Sequence, residues 1–106
     1  MTTFDDREKA FENKFRHDED LLFRIRARRD RLAGHWAAGL MGLNGADADA
    51  YARQIVDVDI GTPGVHDIRD RLTADLHAKG VDISEHRVEK EMLHLLDLAR
   101  QQVTTE

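Results

Sequence analysis

The chain contains no cysteine, which excludes disulfide stapling and thiolate metal sites. A reducing cytoplasm is compatible with that absence. No apolar run approaches the roughly 20 residues that a membrane crossing needs. The first residues are acidic and hold no apolar core segment, so a secretory signal is not expected. There is no glycine-rich phosphate loop, and no candidate nucleophile has a defined base beside it. Strand-like alternation is confined to "VDVDI" at 56–60. Aromatic residues make up 6% of the chain, and none interleaves with the arginine run in the way that stacking on RNA bases requires.

What remains is a charged, helix-patterned sequence of 106 residues, 41% hydrophobic and 35% charged. That length predicts one domain with a small core. The net charge of −5 is unevenly spread. Residues 1–20 carry seven acids against four bases, whereas residues 21–43 carry five arginines (Arg24, Arg26, Arg28, Arg29, Arg31) and the single acid Asp30. Residues 44–106 carry thirteen acids and seven bases. An acidic chain is a poor non-specific ligand for nucleic acid.

The helical period dominates. At about 100° per residue, Phe4, Phe11, Phe15 and Leu22 fall in a narrow arc of one helix face, and Ile25, Leu32, Trp36 and Leu40 continue the stripe. A helix from Thr3 to Met41 would be about 58 Å long at ~1.5 Å per residue. A compact domain of this size has a radius of gyration of only ~13 Å, so such a helix cannot be buried along its whole length. Asp18, Glu19 and Asp20 precede the apolar Leu21-Leu22-Phe23, and acids favour a helix N-terminus. The sequence therefore predicts an N-terminal arm over 1–17 and a helical bundle over 18–106; the arm, with Thr2 or Thr3 as its own cap ahead of Asp5 and Asp6, is a second helix, a frayed extension, or part of one long helix once bound. The predicted helices span 18–42, 46–57, 64–79 and 84–103. Gly42, followed by the Asn44-Gly45 turn, ends the first, and "GTPGV", with Pro63-Gly64 at its centre, is a turn. Gly80 stops the third helix, and Ser84 caps the fourth. Tyr51 and Ile55, then Val65, Ile68, Leu72 and Leu76, then Val88, Met92, Leu95, Leu96 and Ala99 are the expected inward positions.

Several constellations invite a chemical reading. Glu91 and His94 form a Glu-x-x-His pair, but a carboxylate di-iron bundle needs two such pairs and two further glutamates, so a solvated or locally paired role is expected. His66-Asp67 is too short a motif for a metal hydrolase without further histidines. Arg24, Arg28 and Arg31 lie opposite the apolar stripe, as a solvated face or a contact for an acidic partner. The phenylalanine arm has three readings. It covers the bundle core, or it docks in another protein's groove with anchors at helical spacing, or it lies on a membrane surface, which its acid excess disfavours.

The stretches "TFDDREKAFENKF" at 3–15, "ARR" at 27–29 followed by Trp36-Ala37-Ala38, and "KGVDISEH" at 79–86 resemble the zeta-type inhibitor subunits of alphaproteobacterial F-type ATP synthases. The likeness covers nearly the whole chain. It implies an all-α fold, a four-helix bundle with a mobile N-terminal arm that becomes helical on binding. It also implies a non-enzymatic role, in which the arm enters the catalytic head of the ATP synthase at an interface of alpha and beta subunits near the gamma rotor. There it blocks ATP hydrolysis while permitting synthesis. On this resemblance Phe4, Phe11 and Phe15 are anchors, Arg7, Lys9 and Lys14 set register, and Arg24, Arg28 and Arg31 offer a secondary contact face. No cofactor, nucleic acid or membrane insertion is expected, and the place expected is the cytoplasm, at the inner-membrane synthase. A helical adaptor for another multi-subunit partner, or a bundle that binds nucleotide weakly through its arginines, are the alternatives.

Overall fold

The computed structural model describes the backbone of residues 3–61 and 67–106 and the side chains of residues 16–61 and 68–106. The described residues form four α-helices: α1 (Thr3–Leu40), α2 (Gly45–Gly61), α3 (Asp67–Ala78) and α4 (Glu85–Thr105). The all-α expectation holds. The alternating "VDVDI" is the last part of α2 rather than a strand.

The helix ends follow local rules. Gly42, at φ +83°, takes the left-handed position that closes α1. Its N–H donates to Gly39 O at 3.2 Å, and the N–H of Leu43 donates to Ala38 O at 2.9 Å. This paired closure satisfies carbonyls that the helix end would otherwise orphan. Gly80, at φ +79°, closes α3 in the same way, with Gly80 N to His77 O at 3.0 Å and Val81 N to Leu76 O at 3.0 Å. The Ser84 hydroxyl accepts from the N–H of Arg87 at 3.0 Å and starts α4.

The start of α1 differs from expectation. Asp18, Glu19 and Asp20 do not begin a helix; they are exposed residues within one that starts at Thr3. No proline or glycine occurs between Thr3 and Ala33 to interrupt it, and residues rich in Arg, Lys, Glu and Ala propagate a helix readily. The second helix also runs beyond its predicted end at 57, because Asp59 near its C-terminus is held by arginines of α1. Val65 and His66 lie outside the described residues.

Helix α1 is the central element, with α2 and α4 antiparallel to it. Its face toward α2 is built of small residues. Ala33, Ala37 and Ala38 are fully buried, and so is Ala52 opposite them. A Cβ on Gly34 would stand 2.6 Å from Ala52 Cα, so glycine is required by the close approach of the two backbones. The main core joins Ala33, Ala37, Ile55, Ile68, Leu72, Leu76, Val88 and Leu95, with Leu32, Trp36 and Tyr51 packed on it. A second cluster of Ile25, Ala99 and Val103 ties α1 to the end of α4, with Leu21 and Leu96 against it.

Two stripe residues are not core. Leu22 is 65% exposed and Leu40 45% exposed. Both sit in the predicted arc, but at the two ends of the stretch of α1 that other helices cover. The resulting molecule is elongated, 64 × 26 × 22 Å with a radius of gyration of 17.4 Å, against the ~13 Å of a compact domain of this length.

Candidate functional site

The C-terminal ends of α2 and α4 fix where α1 leaves the bundle. Arg26 Nη2 lies 2.6 Å from Asp59 Oδ1, and Arg26 Nε donates to Asp59 Oδ2 at 2.7 Å. Arg24 Nη2 lies 3.2 Å from Glu106 Oε2. From Arg24 back to Thr3 the helix continues for 21 residues (24 minus 3), about 31 Å at ~1.5 Å per residue. Residues 16–20 within that stretch are all exposed. Phe4, Arg7, Lys9, Phe11, Lys14 and Phe15 occupy its first turns, on backbone that is helical; their side chains lie outside the described residues. One uninterrupted helix keeps the positions of Phe4, Phe11, Phe15 and Leu22 in register along a single face.

The three arginines named as a secondary face separate. Arg24 and Arg28 both pair with Glu106, and Arg28 Nη1 also donates to Gln102 Oε1 at 2.9 Å. The Arg28 hydrogen bond holds the Glu106 carboxyl below its ordinary value, with help from the neighbouring Arg24 charge. These two arginines fasten α4 to α1. Arg31 has no ion pair among the described residues; with His35, Asp49, Arg53 and Val56 it lines an open cleft of about 330 Å³ between α1 and α2. His35 Nε2 approaches Asp49 Oδ1 at 3.4 Å across it.

A polar network was not foreseen. Asp30 is fully buried on α1, and Asp59 is buried on α2. Arg29 donates to Asp30 Oδ1 through Nε at 3.1 Å and Nη2 at 2.8 Å, and its Nη2 lies 3.7 Å from Asp59 Oδ2. Asp30 Oδ2 is buried without a hydrogen-bond partner among the described residues. Burial pushes the Asp30 carboxyl up to about 7; the protonated form is able to donate to Asp59, which adds to the rise, and Arg29 opposes it. Burial acts to raise Asp59 too, but the hydrogen bonds from Asp30 and Arg26 and the charges of Arg26 and Arg29 prevail and lower it. The sequence signals were the lone acid within the arginine run and the second aspartate of "VDVDI".

The remaining candidates resolve into local structure. Glu91 accepts from Arg87 at 3.0 Å, and His94 is exposed. The Arg87 guanidinium also stands 5.9 Å over the Trp36 ring, a contact between α4 and α1. Tyr51 donates to Asp75 at 2.7 Å; burial and that bond push its hydroxyl well above its ordinary value. Among the described residues no three His, Asp or Glu side chains come together as a metal site, and no helix is long and apolar enough to cross a membrane.

A projecting N-terminal helix, fastened to a small bundle by arginines, is therefore the feature that most invites comparison. Among curated proteins none matches the chain. The family model of ATPase inhibitor subunit zeta matches residues 1–102, from the start of the projecting arm to the last turn of α4, and the chain belongs to that family.

Proposed function

We propose that this chain is a non-catalytic regulator that suppresses ATP hydrolysis by the F-type ATP synthase. The first turns of α1 enter the catalytic head at an interface of alpha and beta subunits near the gamma rotor. The observation that carries this reading is the length by which α1 outruns α2 and α4. A helix that carries phenylalanines at positions 4, 11 and 15, in one arc, and that its own bundle leaves uncovered at residues 16–20, is suited to a groove on a partner.

The energetics favour a helix continuous with the bundle. Burying three phenylalanine side chains contributes ~5–9 kcal/mol at about 1.5–3 each. Ordering fifteen residues from coil costs ~1–2 kcal/mol per residue, which phenylalanine burial alone does not offset. A helix already nucleated in the bundle at Leu21 and Ile25 needs only propagation, one hydrogen bond gained per residue fixed. Arg7, Lys9 and Lys14 then set register through polar contacts. Any contact between the bundle and the enzyme raises the arm's effective concentration.

The test is ATP hydrolysis by the purified catalytic head with and without the chain, beside ATP synthesis by the intact enzyme. Hydrolysis falls on addition of the chain and synthesis does not. Unchanged hydrolysis at saturating chain overturns the proposal.

A further inference from the structure

Three large apolar side chains are exposed at the end of the bundle from which α1 emerges: Leu22, Phe23 at 55% and Ile60 at 53% exposure. They do not form one surface. Phe23 and Ile60 share a cleft of about 240 Å³ between α1 and α2 with Arg26, Ala27, Asp30 and Asp59. Leu22 lies about 100° away around the helix.

The phase of Leu22 is the informative quantity. Seven residues separate it from Phe15, two helical turns less about 20°, so its position falls in the arc of Phe4, Phe11 and Phe15. Along the axis it lies about 10.5 Å beyond Phe15. Its neighbours on the bundle side belong to the chain's own core: Ile25 is buried, and Leu21 packs on the Ile25, Ala99 and Val103 cluster. Among the described residues, Leu22 is the stripe residue on the arm side of Ile25, and the bundle leaves it open. The helix has no proline or glycine before Gly34 that would break the phase.

We propose that Leu22 is a fourth anchor of the same face, buried by the ATPase groove that receives Phe15, so that the partner takes α1 up to the rim of the bundle. This rests on the proposed inhibitory reading. The ATPase is the occupant because the family is one of ATPase inhibitor subunits and because the helix carries the stripe into Leu22 without a break. A second copy of this chain is a poor fit: a few side chains fall far short of the roughly 800 Å² per partner that a stable interface buries.

The experiment compares inhibition of ATP hydrolysis by Leu22→Ala, Leu22→Met, Phe23→Ala and Phe11→Ala, with melting temperatures and sedimentation of each. Leu22→Ala weakens inhibition about tenfold at an unchanged melting temperature, while Leu22→Met and Phe23→Ala inhibit as the unsubstituted chain does. If Leu22→Ala inhibits fully while Phe11→Ala does not, the fourth anchor is refuted and the arm mechanism stands. If neither matters, the arm mechanism itself has failed. Loss of inhibition with a lower melting temperature makes Leu22 a core residue. Loss through dissociation of a dimer assigns it to a second copy. Loss in Phe23→Ala but not in Leu22→Ala moves the contact to the α1–α2 cleft. Each of these three overturns the proposal.

Discussion

Asp30 of α1 and Asp59 of α2 share one arginine: Arg29 Nη2 lies 2.8 Å from the first and 3.7 Å from the second. Arg26 completes the site from α1, against Asp59. With Asp30 neutral, two guanidinium groups face one carboxylate and one carboxylic acid. With Asp30 ionised, the site holds a fully buried charge whose Oδ2 has no partner among the described residues, and such a charge is costly.

A pH dependence of stability follows. The Asp30 carboxyl, raised to about 7, contributes stability that is full below the ordinary carboxylate range and is lost as pH rises through 7. Asp59 is lowered, so its contribution is present above that range and lost as pH falls. From these two groups stability is therefore greatest near pH 4 and falls from there as pH rises through 7. It declines by on the order of 1–3 kcal/mol between pH 6 and pH 8.5. Asp30→Asn keeps the neutral form's shape and removes most of that alkaline decline. Urea titrations at both pH values check it; an equal decline in both proteins would show that Asp30 is not the titrating group.

Gly34→Ala separates the helices where they are closest. The added methyl meets Ala52 Cα at 2.6 Å, and a backbone atom cannot swing aside as a side-chain tip does. The gain in helix propensity, about 1 kcal/mol, is outweighed by overpacking of roughly 1–3 kcal/mol and by the loss of neighbouring contacts as α2 is pushed out. The melting temperature falls by several degrees, at about 4–8 °C per kcal/mol for a domain of this size. A rise instead would mean that α2 re-seats without loss.

How much of this was legible in the sequence depends on range. The closures at Gly42 and Gly80 and the cap at Ser84 were legible because each rests on residues a few positions apart. The inward faces of α3 and α4 were legible because amphipathic periodicity reports phase. Periodicity does not report where covering helices end, which is why the stripe places Leu22 and Leu40 in one arc with buried Ile25 although both are exposed. The acids at 18–20 marked the edge of the packed region, since Leu21 is the first partly buried one among the described side chains, but not a break in the helix. Asp59 was missed because its burial depends on Arg26, 33 residues away, and no local rule foretells that pairing. Of the candidate site, the phenylalanine spacing was plain from the letters alone. That Arg24 and Arg28 are engaged with α4 was not.

Deleting residues 1–15 is expected to abolish inhibition and leave the bundle folded. Both core clusters are assembled from Ile25 onward, so the truncated chain keeps its buried residues and melts cooperatively at close to the same temperature. An arm that docks on a partner rather than on its own bundle predicts that amide protons near Phe11 exchange far faster than those of the buried Ala33 and Ala37, since turns without tertiary contacts open locally at little cost. Unfolding of the truncated chain, followed by circular dichroism, or strong protection at Phe11 and Phe15, would instead make the arm part of the fold.

Truncating the arm's rings one at a time gives the sharpest map of the docking face. Phe4→Ala, Phe11→Ala and Phe15→Ala are each expected to weaken inhibition without lowering the melting temperature, because the described residues from Leu21 onward already assemble both core clusters. A buried aromatic anchor costs about 2 kcal/mol or more when truncated, a ten- to hundredfold loss at ~1.4 kcal/mol per decade. Phe11 is expected to matter most. It has a full turn of helix on either side, whereas Phe4 stands one residue inside the helix start, where the first amides lack intrahelical partners and fraying competes with docking. Phe15, nearer the bundle, is already held in helical register and should lie between them. Inhibition constants for the three variants beside their melting curves decide the matter: equal inhibition by all three refutes the anchor mechanism, and a lowered melting temperature would place these rings in the protein's own core.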